Sequence, residues 1–140
     1  MINIEFMKIL DASVLIRLLK LEPGHKAISS LFTEAENHGE SVFMCQTNYM
    51  EVVYSLLKRF DEKKTKAALA RIKSPFLAIS NYMDTDLALY SAKLKASYDL
   101  SFGDATGLAF TKIMKGTFYT ADKALVVVAK KEGIRLVVVG

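Results

Sequence analysis

Short apolar runs alternate with longer stretches of helical spacing along the chain. Apolar residues recur every three or four positions in those stretches, which indicates helices with one buried face. The apolar stripes are Ile28/Leu31/Phe32/Ala35, Tyr49/Val53/Leu56/Phe60, Leu87/Tyr90/Leu94 and, less regularly, Leu108/Phe110/Ile113/Met114. The short runs predict strands at Phe6–Asp11, Ser41–Cys45, Phe76–Ser80, Thr117–Thr120 and Ile134–Val139. Strands that alternate with helices, without Asn-Gly or Asp-Gly turns, predict an α/β fold whose parallel sheet is covered on both faces.

One segment supports two interpretations. Ala124–Ala129 is rich in strand-forming residues. However, Asp122 suits a helix N-cap, Lys130 and Lys131 suit the negative end of a helix dipole, and Gly133 suits its termination. These end signals favour a helix between residues 122 and 132.

Length and composition narrow the class of protein. With 140 residues, 51% of them hydrophobic and 24% charged, we expect residues 1–140 to form a single globular domain. The longest apolar runs, Ala124–Ala129 and Leu136–Val139, are far shorter than the roughly 20 residues of a membrane-spanning helix. The single cysteine, Cys45, excludes an internal disulfide, and we expect it to be a small buried side chain. We therefore expect a cytoplasmic protein without a membrane partner.

The net charge of +4 permits a polyanionic partner such as nucleic acid without identifying one. Lysine and arginine residues are spread along the chain in small groups. Such groups are typical of solvated helix faces in many proteins.

Four acidic residues are candidates for chemistry. Asp11 ends the first predicted strand, Asp122 follows the fourth, Asp104 begins a predicted helix, and Glu51 lies in the sequence Asn-Tyr-Met-Glu-Val. Functional groups in an open parallel sheet gather outside the carboxyl ends of the strands. If the first and fourth strands are neighbours, Asp11 and Asp122 face one crevice and Asp104 can join them.

Each acid also has a simpler interpretation. Asp11, Asp104 and Asp122 each suit a helix N-cap, which would explain any one of them alone. The helical wheel places Glu51 beside Ser55 and Lys58, opposite the apolar stripe, and therefore on a solvated face. The four acids would form a functional site only if their side chains lie close together.

Convergence would have a chemical consequence. Two like charges about 4 Å apart repel by roughly 4 kcal/mol at an effective dielectric constant of about 20, so clustered carboxylates need protons or a cation. The sequence has no glycine-rich phosphate loop, no Cys/His cluster and no Ser-His-Asp set with supporting context. Oxygen ligands alone favour a hard ion, Mg²⁺ or Mn²⁺. Such an ion in a basic protein suits phosphodiester chemistry, because it orients water and shields developing charge.

The order and context of these acids resemble the PIN-domain family, in particular the small VapC-type toxins of toxin–antitoxin pairs. The resemblance spans the chain from Lys8 to the last strand. It is carried by Leu10-Asp-Ala-Ser13, Asn48-Tyr-Met-Glu-Val52, Leu100-Ser-Phe-Gly-Asp-Ala105 and Thr120-Ala-Asp122. Gly107 departs from the helix formers usual after the third acid. It would cost about 1 kcal/mol in a helix interior unless close packing requires it.

The resemblance implies a three-layer α/β/α domain with a five-stranded parallel sheet in the order 3-2-1-4-5. It also implies metal-dependent endoribonuclease activity with Mg²⁺ or Mn²⁺ on an RNA substrate. The metal-binding and catalytic residues would be Asp11, Glu51, Asp104 and Asp122, with Ser13 and Thr120 as supporting hydroxyls. A homodimer and a cognate antitoxin protein are the implied partners.

Three alternatives stay open from the residues themselves. A non-catalytic PIN-fold module that binds RNA or protein would keep the fold, although it has no use for four clustered acids. A phospho-acceptor receiver domain needs an aspartate at the end of its third strand, where this chain has Ile79-Ser-Asn81. Ser13 could serve only as a residue in the first turn of a helix.

Overall fold

The computed structural model describes residues 6–72 and 77–139. Those residues form β1 (Lys8–Leu10), α1 (Ala12–Leu19), α2 (His25–His38), β2 (Val42–Cys45), α3 (Gln46–Leu57), α4 (Glu62–Ile72), β3 (Leu77–Ser80), α5 (Thr85–Tyr98), α6 (Phe102–Met114), β4 (Thr117–Thr120), α7 (Leu125–Glu132) and β5 (Arg135–Val138). Each predicted strand is present: the fourth has the predicted bounds, and the first, second and fifth are shorter by one or two residues at an end. Phe76, the first residue of the third predicted strand, lies outside the described residues. None of the described helices is long and apolar enough to cross a membrane.

The five strands form one parallel sheet in the order β3-β2-β1-β4-β5, which confirms the expected topology. The central strand β1 pairs with β2 on one side and with β4 on the other. Leu10 is opposite Tyr119, so β1 and β4 end side by side. The chain order reverses between these two strands, where open α/β sheets form their ligand crevice.

Helices cover both faces of the sheet and give it two apolar cores. Ile9 and Phe118 face the core beneath α5, α6 and α7, whereas the next residue in each strand, Leu10 or Tyr119, faces the core beneath α1 to α4. This alternation is the two-residue period of a strand. It confirms the three-layer α/β/α architecture.

The ambiguous segment is a helix, as its end signals predict, but its start differs from the prediction. α7 begins at Leu125 with Ala124 as its N-cap, and Gly133 ends it with a left-handed φ of 67°. Asp122 is therefore not the helix cap. Its Oδ1 accepts the N–H of Ala124 at 2.9 Å, which stabilises the turn that precedes the helix.

The predicted buried face of α3 is wrong in part. Asn48, Val52 and Leu56 are the buried residues of this helix. Phe60 lies beyond its end and is 43% exposed. The prediction from the apolar stripe fails because the buried face of α3 also contains polar side chains. Glu51 therefore lies on the inner side of the helix.

Close packing explains Gly107. A Cβ atom at this position would lie 2.6 Å from Cε1 of Phe118 and 3.3 Å from Oδ1 of Asn48. The missing side chain lets α6 approach both the sheet and α3. Glycine is unfavourable in a helix interior, and this close packing explains why it is present here.

Candidate metal and active site

Asp11 lies at the carboxyl end of β1 and is 3% exposed. Its Oδ2 accepts the hydroxyls of Ser13 at 2.8 Å and Thr120 at 2.7 Å, and its Oδ1 accepts the amide of Asn48 at 3.1 Å. Asp11 does occupy the N-cap position of α1, but its side chain makes no capping hydrogen bond. Helix capping therefore does not explain the presence of this carboxylate. Hydrogen bonds from three neutral donors fix its position.

Ser13 and Thr120 join the end of β1 to the loop after β4. The N–H of Ala121 donates to Oγ of Ser13 at 3.0 Å, and the N–H of Asp122 donates to Oγ1 of Thr120, also at 3.0 Å. Because each hydroxyl accepts a backbone N–H, its own proton is free to point at Asp11. Both residues therefore orient the buried carboxylate, and Ser13 does more than occupy a helical turn.

Glu51 is partly buried and faces α6, contrary to the predicted solvated position. A Cβ atom on Gly103 would overlap its carboxyl group, so this glycine provides the space for Glu51. Burial and the charge of Asp11 raise the pKa of Glu51, whereas hydrogen bonds from the Gly103 backbone and the Ser101 hydroxyl lower it. The carboxyl group thus lies at the N-terminus of α6, where backbone N–H groups favour negative charge.

Asp104 lies in the first turn of α6 but does not cap it. Ser101 is the N-cap, and its Oγ accepts the N–H of Asp104 at 3.0 Å. Burial raises the pKa of Asp104 to about 7, with further contributions from the charges of Asp11 and Glu51 and a smaller one from Asp122. The four predicted acids therefore share one electrostatic environment centred on Asp104.

Asp122 is the most open of the four acids. It is solvent-exposed in the loop after β4, where its own N–H is held by Thr120. Its charge still contributes to the raised pKa of Asp104. It therefore lies at the rim of the cluster, with Asp11 at the base.

The donor set suits a hard divalent cation. Among the described residues, no three Asp, Glu, His or Cys side chains stand close enough to form a complete metal-binding set by distance alone. Mg²⁺ does not require one, because it keeps several waters and is bound through one or two carboxylates. Cys45 is buried, and burial raises the pKa of its thiol to about 12, so it offers no thiolate. Burial and the charges of neighbouring acids raise the pKa of Asp104 and Glu51, and a bound cation would relieve the repulsion between these acids.

Three residues of this site were quoted in the motifs without a role. Asn48 precedes Glu51 by three positions, a spacing that places both on one helix face. Ser101 precedes Asp104 by three positions, the spacing of an N-cap and the residue that follows it in a capping box. Gly103 had no detectable signal, because its role depends on how α6 approaches α3.

An open parallel sheet with buried and partly buried acids at the switch between β1 and β4 defines an α/β protein with an acidic site. The family model of the PIN domain matches residues 8–131, and the chain belongs to this family.

Solved structures share the fold at low sequence identity. A chain of a toxin–antitoxin complex from Klebsiella pneumoniae is 24% identical, with a TM-score of 0.59, over 84% of this chain and 89% of that chain. A chain of VapBC2 from Rickettsia felis, bound to a DNA fragment from its promoter, is 11% identical, with a TM-score of 0.74, over 96% of this chain and 99% of that chain. PAE2754 from Pyrobaculum aerophilum is 18% identical, with a TM-score of 0.62, over 89% of this chain and 86% of that one. A search of curated proteins finds no significant match.

Proposed function

We propose that residues 1–140 form one metal-dependent endoribonuclease domain that hydrolyses RNA phosphodiester bonds. The observation that carries the proposal is the convergence of the acids on Asp104: burial raises the pKa of Asp104 to about 7, and the charges of Asp11, Glu51 and Asp122 contribute to the rise. Perturbed carboxylates in a crevice are typical of catalytic sites. Membership of the PIN-domain family supports nuclease chemistry in particular.

Asp11, Glu51, Asp104 and Asp122 would hold Mg²⁺ or Mn²⁺. The bound ion would supply a polarised water and shield negative charge that develops on the phosphate. Asp11 contributes a fixed carboxylate, because Ser13, Thr120 and Asn48 restrict its rotation. We assign Glu51 to completing the site or to accepting a proton through water, a role that its raised pKa favours.

We further propose that the protein acts in the cytoplasm as the toxin of a type II toxin–antitoxin pair, as a homodimer inhibited by an antitoxin protein. Two of the similar structures are described as toxin–antitoxin or VapBC complexes, which supports this context. Met50, Tyr54 and Leu57 form an exposed apolar stripe on α3, with exposures of 65%, 62% and 48%. Exposed apolar stripes of this kind mark protein-binding surfaces, so α3 is available to such a partner.

A cleavage assay tests the nuclease proposal. Purified protein is incubated with a pool of fluorescent RNAs in Mg²⁺, Mn²⁺ or EDTA, beside Asp104→Asn. Asp99→Asn is the matched control, because Asp99 is exposed and has a left-handed φ of 53°, which asparagine accepts. We expect metal-dependent cleavage by the wild type and by Asp99→Asn, and its loss in Asp104→Asn.

Other outcomes would overturn parts of the proposal. Equal cleavage by Asp104→Asn and the wild type would indicate a contaminating ribonuclease and would contradict the site. RNA binding without cleavage in any metal would favour the non-catalytic module.

A further inference from the structure

A large aromatic side chain is exposed beside the acidic site. Phe102, the first residue of α6, is 67% exposed. It lies between Ser101 and Gly103, both of which contact Glu51, and two positions before Asp104. The backbone that carries the ring therefore also shapes the site.

The ammonium group of a lysine lies over one face of this ring. Nζ of Lys95 lies 4.8 Å from the ring centroid and donates a hydrogen bond to the carbonyl oxygen of Leu100 at 2.7 Å. An ammonium over an aromatic face is attracted by the ring quadrupole. The ring is therefore positioned before any ligand arrives, while most of the residue's surface remains in solvent.

The surroundings of Phe102 favour a nucleobase over a protein side chain as its partner. The cores of protein interfaces are depleted of charged residues, whereas this ring contacts an ammonium and its two neighbours in sequence contact the carboxyl group of Glu51. A nucleobase can cover the ring while its polar edges stay hydrated. Its phosphates also gain from the positive charge of Lys95.

We propose that Phe102 stacks on an unpaired base of the nucleic-acid chain next to the phosphate at the acidic site. The inference rests on the proposed nuclease function and specifies its substrate as a single-stranded segment. Bases in a duplex already use both faces for stacking, so only an unpaired or unstacked base can cover the ring. Stacking on an aromatic side chain accepts any base, so the contact would provide affinity and selection for single strands with little reading of sequence.

The absence of tryptophan from the sequence allows a direct test. Phe102→Trp introduces the only tryptophan of the chain, whose fluorescence reports a base stacked on it. The probes are a single-stranded uridine 12-mer, an abasic ribose-phosphate 12-mer and a duplex of the uridine and adenosine 12-mers. Ca²⁺ replaces Mg²⁺ to limit cleavage, and gel analysis checks that the probes stay intact. Val127→Trp on α7 is the control, because Val127 is similarly exposed at 58%.

We expect saturable quenching of Phe102→Trp by the uridine 12-mer, little by the abasic or duplex probes, and none in Val127→Trp. With labelled probes, Phe102→Leu should weaken binding of the uridine 12-mer by about tenfold, the effect of losing one stacked base, and should leave binding of the abasic 12-mer unchanged.

Several results would overturn the inference. These are equal quenching by the abasic and uridine probes, no base-dependent quenching, or an emission shift that follows protein concentration without nucleic acid. The last result would mean that a second copy of the chain covers the ring. Base-dependent quenching without cleavage of any RNA would support the stacking site and contradict the nuclease function. Cleavage without base-dependent quenching would support the nuclease function and contradict the stacking site.

Discussion

Asp11 is a buried charge that neutral groups stabilise. The two ion pairs between described residues, Lys8–Glu34 and Lys66–Glu62, do not include it. Hydrogen bonds to a charged acceptor are stronger than bonds between neutral groups, and a buried carboxylate that loses one incurs a large penalty. The hydroxyls of Ser13 and Thr120 should therefore matter for folding as well as for metal binding.

Thr120→Val tests this role with little change in shape. The variant removes a donor from Asp11 and leaves the N–H of Asp122 without its acceptor, so we expect unfolding to become easier by roughly 1–3 kcal/mol. Urea denaturation in EDTA measures the change. Thr111→Val is the matched control, because the buried hydroxyl of Thr111 donates to the Gly107 carbonyl within α6. An equal loss in both variants would contradict a special role for Thr120.

The raised pKa of Asp104 predicts a pH dependence of the metal-free protein. Its pKa is about 7 in the folded state, against 3.8 as the ordinary value, so the folded protein binds more protons between these pH values. The free energy of unfolding should therefore fall as the pH rises from about 4 to 7 and should be lowest above pH 7, where Asp104 is charged despite its burial and the nearby acids. Asp104→Asn should unfold at higher urea concentration than the wild type at pH 8, with the difference shrinking towards pH 4. A difference that does not change with pH would contradict the raised pKa of Asp104.

At the scale of elements, α3 exchanges polar and apolar positions near the site while Val52 and Leu56 stay buried. Asn48 and Glu51 lie on its inner side, whereas Met50, Tyr54 and Leu57 face solvent. A helical wheel assigns apolar residues to the inside, and this assumption made Glu51 look like a surface residue. Such exchanges of polar and apolar positions are expected where a helix serves a function as well as a core.

Local patterns predicted the strands, the helix after β4 and the acids, because each depends on neighbours in sequence. Those patterns could not predict the contacts between elements that are distant in sequence. The amide of Asn48 reaches Asp11 across 37 positions, and Gly103 is required only because Glu51 packs against it. A glycine inside a helix looks unfavourable until the approaching element is known.

Gly103→Ala tests the contact between α3 and α6. Alanine is the better helix former by about 1 kcal/mol, but its Cβ would overlap the carboxyl group of Glu51. We therefore expect the substitution to destabilise the wild type and to stabilise the Glu51→Ala variant. Urea unfolding of the four proteins in this double-mutant cycle measures the reversal of sign. The same effect in both backgrounds would exclude the contact.

At the scale of the whole molecule, the topology draws the residues of the candidate site from four separate regions. Asp11 follows β1, Glu51 lies in α3, Asp104 in α6, and Asp122 follows β4. The pairing of β1 with β4 and the bonds made by Ser13 and Thr120 bring the ends of the chain's first and fourth strands together. The metal-free fold must bear the repulsion among these acids, so a cation that binds them should stabilise the entire domain.

Mn²⁺ should therefore raise the thermal stability of the wild type. A ligand that binds only the folded state stabilises it by about 2.7 kcal/mol at 100 times its dissociation constant. Differential scanning calorimetry with Mn²⁺ or EDTA measures this effect without any RNA. Asp104→Asn should lose most of the stabilisation, whereas Asp99→Asn should keep it, because Asp99 is not among the charges that raise the pKa of Asp104 or Glu51. Equal stabilisation of all three proteins would place the ion elsewhere and would contradict the metal site even if RNA were cleaved.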